Sequence, residues 1–422
     1  MNFIETAIFG VKYEDINDYS GPISNEINFD YPHLSSIFEF IIEGKENKSR
    51  TTYDNEYKLL SLNFFRASVN IFLYVNNYQS YGEVIDNCSI PMLFTIRHAI
   101  ELLLKAAILK QNKNAKSTQK IFQKNDHDIK ELYDVLTTKP ENHEWLTKYL
   151  ENMMLEDSSE NLFRYSMDAK FRKEHHSIDS IRTTLISYYA FDSIIRFYFG
   201  NCVLDEEDIE MCIALVESHS SNGEYIINPS DSIELMYTWQ TNDRDLFKQI
   251  TGFRDAGKLL FKCRENNVEE LELPILYLLR HCLEISLKTI ITEMHSYIKN
   301  ELKEPGVKDI PDKAYSTHEF KEIWKYGKRI IKFFVNLYKW DFAKLDEIEK
   351  AILYIHNIDK YAAYFRYPTN LGLDYHNHSQ IDFGKAYDTF LTLIELMENM
   401  DYCVSDINDN VNEWLSSEKD WH

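Results

Sequence analysis

Residues 97–105 read Arg97-His98-Ala99-Ile100-Glu101-Leu102-Leu103-Leu104-Lys105, and residues 280–288 read Arg280-His281-Cys282-Leu283-Glu284-Ile285-Ser286-Leu287-Lys288. Arg, His, Glu and Lys recur at the same offsets inside the same apolar setting. On a helix turning 100° per residue these four side chains fall within one arc of about 100°. Around Arg97 the rest of the circumference is Leu93, Phe94, Ile96, Ile100, Leu103 and Ile108, the pattern of a buried helix. A charged stripe on such a helix is costly unless its groups pair or line a cavity. Arg97 with Glu101 and Glu101 with Lys105 are i, i+4 neighbours able to pair along the helix, as are Arg280, Glu284 and Lys288.

The echo continues along the chain. His127-Asp128-Ile129-Lys130-Glu131 matches His318-Glu319-Phe320-Lys321-Glu322 in type, and Phe163-Arg164-Tyr165 matches Phe365-Arg366-Tyr367. His176-Ser177 before Asp179 resembles His378-Ser379 before Asp382. The order is the same in both copies and the offset between them grows gradually, as loop insertions would produce. We therefore expect a tandem duplication of a unit of roughly 140–160 residues, a domain size and too long for a solenoid repeat.

Apolar periodicity predicts helices over 57–78, 90–111, 179–199, 245–263, 271–299, 318–338, 342–358 and 382–402. Ser316-Thr317-His318-Glu319 reads as a capping box opening a helix at 318, and Gln111–Asp126 and Asn300–Pro311 read as polar loops. The expected organisation is an N-terminal extension over 1–56, a first repeat over 57–202, a connecting segment over 203–244 and a second repeat with a C-terminal helix over 245–422. The connection is marked by Asn222-Gly223 and Asn228-Pro229.

Composition points the same way. Only 12 Gly and 9 Pro serve 422 residues, too few turn formers for a sheet-rich chain, while 28 Tyr and 25 Phe favour large cores. The formal charge of −22 excludes broad, nonspecific binding to nucleic acid or anionic membranes but leaves room for one local basic pocket. No apolar run is long enough for a membrane span. The opening Met1–Thr6 lacks the basic and apolar blocks of a secretory leader, and the six cysteines show neither CxxC nor zinc spacing. A cytoplasmic chain with reduced thiols and no membrane partner is expected. Gly-rich phosphate loops, Gly-x-Gly-x-x-Gly and His-Glu-x-x-His are absent, which argues against a P-loop NTPase, a dinucleotide enzyme and a zincin.

The Arg-His-x-x-Glu helix, the following His-Asp or His-Glu pair and the terminal Phe-Arg-Tyr together resemble the HEPN superfamily, over roughly 57–200 and 245–403. The resemblance implies an all-α fold of two tandem helical-bundle units forming a HEPN-like pseudo-dimer. It also implies an effector or sensor in bacterial antiphage defence, of abortive-infection or toxin type, with metal-independent endoribonuclease activity. The usual HEPN signature of Arg followed four to six residues later by His is missing: Arg172 lies too close to His175 and His176, and Arg366 too far from His376.

In that reading His98 and His281 remove a ribose 2′-OH proton, His127 and His318 protonate the leaving group, and Glu101 and Glu284 orient the site. Arg97, Arg280, Arg164 and Arg366, with Lys105 and Lys288, hold phosphate. No cofactor and no metal are expected. The expected partners are RNA or a nucleotide at a local basic pocket, a partner protein and a second copy of the chain. Two alternatives stand beside the enzyme: a non-catalytic nucleotide-, RNA- or protein-binding module using the same pockets, and an ion-pair ladder that only fixes helix packing.

Overall fold

The protein is described here from a computed structural model that covers residues 39–42, 51–77, 82–112, 114–156, 177–219, 238–240, 245–266, 270–300, 302–303, 308–338, 342–370 and 372–400. The fold is all-α. The one departure among the described residues is a pair of three-residue strands, Ser177–Asp179 and Thr238–Gln240, joined antiparallel with Ile178 opposite Trp239. No described helix is long and apolar enough to cross a membrane. Cys88, Cys202, Cys212, Cys263 and Cys282 are free thiols.

The described residues fall into two compact units. The first comprises Ile42–Leu278 and Ala363–Ile381; the second comprises Leu279–Ala362 and the chain from Asp382, with Phe40 and Ile41. This partition differs from the expected borders at 202, 244 and 245. The segment after 245 up to Leu278 belongs to the first unit, and so does the second Phe-Arg-Tyr, Phe365-Arg366-Tyr367.

In the first unit the helices are α1 (Tyr53–Asn77), α2 (Gly82–Gln111), α3 (Ala115–Asn125), α4 (Ile129–Asp134), α5 (His143–Glu156), α6 (Ser180–Phe199), α7 (Glu206–His219) and α8 (Asp245–Glu265). α2 is central: α1, α6 and α8 all pack on it, and its residues from Cys88 to Ile108 are buried. The polar arc of Arg97, His98, Glu101 and Lys105 therefore lies in the stretch of the helix that is buried on all sides. α3 replaces part of the expected loop after Gln111. The side chain of Asn114 caps it by accepting the Ser117 N–H, a local bond that periodicity does not reveal. α7 likewise occupies the expected connecting segment; the Asp205 carboxylate accepts the Asp208 N–H at its start.

Pro91 lies inside α2. It has no N–H to give the carbonyl four residues back, that of Asn87. The backbone of Gly252 on α8 packs against that same carbonyl: a Cβ at position 252 would stand 1.8 Å from the Asn87 oxygen. A helix-breaking residue on one element thus matches a side-chain-free residue on the next, and together they allow the close approach.

The second unit holds the C-terminal part of α9 (Glu272–Thr289), which passes through a π-turn at Ile290–Met294 into α10 (His295–Asn300). α11 (Lys313–Ser316), α12 (Phe320–Tyr338) and α13 (Phe342–Ile358) follow, and residues 383–400 are helical. α12 starts two residues later than expected: Thr317 Oγ1 accepts the Glu319 N–H, and the Glu319 carbonyl accepts the Ile323 N–H. Ile323, Trp324, Ile331, Phe334 and Val335 give α12 a buried face against α13 and the π-turn.

Gly252→Ala is expected to lower the melting temperature, by an overpacking cost of about 1–3 kcal/mol or more because the obstacle is backbone. A methyl at Gly327 on α12 meets nothing within 4 Å. Gly327→Ala is expected to raise the melting temperature, by up to about 1 kcal/mol of helix propensity. Thermal unfolding followed by circular dichroism checks the opposite signs.

Candidate functional site

Each unit contains one ion-pair network built around the glutamate of its Arg-His-x-x-Glu helix. In the first, Glu101 is fully buried and accepts from Arg97 Nη1 at 2.9 Å and Lys105 Nζ at 2.6 Å, one turn to either side. Arg97 Nη2 donates to the His127 carbonyl at 2.7 Å, which anchors the segment between α3 and α4. The His127 imidazole turns back so that Nδ1 lies 3.2 and 3.3 Å from the two Glu101 oxygens. An ionised carboxylate only accepts, so Nδ1 carries the proton.

The second network repeats this bond for bond. Arg280 Nη1 donates to Glu284, Lys288 Nζ donates to Glu284 at 2.9 Å, Arg280 Nη2 donates to the His318 carbonyl at 2.9 Å, and His318 Nδ1 donates to Glu284 at 2.8 Å. Burial by itself would raise the Glu284 pKa, but Lys288, His318 and Arg280 together hold that carboxyl well below the usual range. It is an anion at neutral pH.

Exposure separates the members of each network. Arg97, His98, Glu101 and Lys105 are buried, as are Arg280, His281, Glu284 and Lys288. The histidines that follow are not: the His127 side chain is 24% exposed and that of His318 37%. His127 Nε2 stands 3.4 Å from Asp126, whose side chain is largely in solvent.

These positions revise the expected roles. His98 is a core residue whose Nε2 lies 3.2 Å from the Arg366 carbonyl, with its ring against Phe64, Phe94, Tyr277 and Tyr367. His98 and His281 do not reach a ligand in solvent, so neither is placed to act as a base. Arg97 and Arg280 turn their guanidinium groups inward, and Lys105 and Lys288 turn their ammonium groups to glutamate, so the phosphate-holding role does not fit them. Arg366 is also buried, its guanidinium stacked over Tyr277 and Tyr367, each 5.2 Å from the ring centre. Its loop belongs to the first unit. Arg164 lies outside the described residues.

Two members of the networks escaped the repeat pattern. Tyr367 gives its hydroxyl to Glu101 at 2.6 Å and lies under Lys105 Nζ at 4.4 Å. Asp359, at the end of α13, accepts Arg280 Nε at 2.9 Å. Tyr367 sits in the Phe-Arg-Tyr motif, yet its partner is 266 residues away and no local spacing points to it. Asp359 lies outside the paired stretches of sequence, so their recurrence does not mark it.

Glu284→Gln leaves Arg280 and Lys288 buried without their shared anion and is expected to destabilise the protein at neutral pH by about 3–5 kcal/mol. The folded chain holds the Glu284 proton less tightly than the unfolded chain does. The wild-type advantage is therefore complete above the unfolded glutamate pKa of about 4.3 and shrinks as pH falls from there through the lower folded value. Denaturant titrations of both proteins between pH 7 and about pH 3 measure it. No protein-family model, curated protein or solved structure matches this chain.

Proposed function

We propose that the chain arose by tandem duplication of one HEPN-like helical unit and serves as an effector or sensor in bacterial antiphage defence, cutting RNA without a metal ion. In this reading His127 and His318 are the proton-transfer groups. The observation that carries it is the twice-repeated carboxylate–histidine pair, in which a buried glutamate binds Nδ1 of the one network histidine that reaches solvent. Such a pair fixes the tautomer, turns the Nε2 lone pair outward and stabilises the imidazolium that forms. Nε2 takes the proton from a ribose 2′-OH, the 2′-oxygen attacks the adjacent phosphorus, and the 5′-oxygen leaves, giving a 2′,3′-cyclic phosphate and a 5′-hydroxyl. The imidazolium returns its proton to solvent or to the leaving oxygen. Glu101 and Glu284 are positioning residues, and the arginines and lysines hold them.

A second reading is favoured by the burial of every network cation: the units bind RNA, a nucleotide or a partner protein and cut nothing. The His127→Ala, His318→Ala double variant separates the two. It removes the solvent-facing end of each network and leaves both buried glutamates with their Arg and Lys partners, whereas Arg97 or Arg280 variants would test folding. Wild-type protein incubated with total RNA in EDTA is expected to give fragments ending in cyclic phosphate. The double variant is expected to lose about 10²–10⁴-fold in rate with its unfolding transition retained. RNA that is retained on the wild-type protein but stays intact would establish the second reading.

A further inference from the structure

α12 has a second face. Lys321, Lys325, Arg329 and Lys332 are all exposed, and at 100° per residue they fall in one arc of about 80°. Asn336 continues the line, and backward it leads to His318, just before the first turn. Among the described residues, Lys321, Lys325 and Arg329 have no acidic partner within 4 Å. Lys328, one step to the side, is different: it is held by Glu349 and Asp346 of α13. The one acidic residue of α12, Glu322, is half-buried and stands at the border with Tyr326.

Stability does not explain this stripe. Lys321 with Lys325 and Lys325 with Arg329 are like-charged i, i+4 pairs, which weaken a helix slightly. Lys321 also lies in the first turn, where the helix dipole disfavours a cation. The chain has 68 acidic and 46 basic residues, so a single-signed positive face is not a sampling of its average surface.

We propose that this face of α12 is a track for the phosphodiester backbone of single-stranded RNA, leading the strand to His318. The inference deepens the reading of His318 as a proton-transfer group by naming how its substrate is held. Successive cations at i, i+4 stand about 6 Å apart along the axis, close to the phosphate spacing of an extended strand. Tyr326 and Phe333, both half-buried, border the same side of the track and offer ring faces to bases. A membrane surface fits poorly, because a lipid-binding helix inserts its apolar face and that of α12 is already inside the unit.

The test is fluorescence anisotropy of the full chain with a labelled single-stranded oligoribonucleotide in EDTA, over a salt series. The comparison is the variant Lys321→Gln, Lys325→Gln, Arg329→Gln, Lys332→Gln, whose changes are all on exposed side chains. Wild type is expected to bind. The variant is expected to keep its melting temperature, to bind about tenfold or more weakly, and to lose about 0.7 from the salt slope per phosphate contact removed. Absence of binding by wild type, variant binding equal to wild type, or displacement of the RNA by polyglutamate at equal charge concentration each overturns the track. The cleavage reading is judged separately with His318→Ala. Binding unchanged in that variant supports the track even where no RNA is cut, while undiminished cutting by the quadruple variant overturns the track and leaves the cleavage reading standing.

Discussion

An anion with no water around it is stable only when cations and N–H or O–H donors replace the solvent, and Glu101 and Glu284 are two such anions. α2 is covered by α1, α3, α4, α6 and α8, so its polar arc is buried. Each glutamate is satisfied along its own helix by an arginine and a lysine one turn away, and then by a histidine brought in from the segment that follows. The arginine bonds the carbonyl of that same histidine. One side chain thus fixes both the backbone and, through the glutamate, the ring. The geometry of the histidine is a consequence of neutralising the glutamate, and it persists for as long as the glutamate is charged.

Much of this was legible because it is local. The Arg-His-x-x-Glu-x-x-x-Lys spacing fixes a one-sided arc on a helix, and the apolar residues around it fix its burial. The following histidine is marked by recurring after each Arg-His-x-x-Glu stretch. Its role as the solvent-facing member was not legible, because exposure depends on how α3 and α4 cover α2. Gln111–Asp126 was read as a loop for its Lys, Asn and Gln content. Thr118, Phe122 and Asn125 are nevertheless buried along one side of α3, a stripe too sparse for periodicity to find. Tyr367 was invisible for a different reason: a contact over 266 residues leaves no trace in spacing. The basic arc of α12, by contrast, was readable from Lys321, Lys325, Arg329 and Lys332. Its spacing alone is that of the polar side of an ordinary amphipathic helix; what sets it apart is that Glu322 is the one acid on α12.

Each network also takes a partner from outside its own helix and histidine segment. At Glu101 the Tyr367 hydroxyl donates to the oxygen that also faces Lys105 and His127. The same hydroxyl lies 3.1 Å from His127 Nδ1. At the second network Asp359 takes Arg280 Nε, offsetting part of the guanidinium charge. The distance is 2.8 Å from His318 to its glutamate and 3.2 Å from His127 to its own. Of two histidines set by the same sequence motif, His318 is the one from which the basic arc of α12 extends.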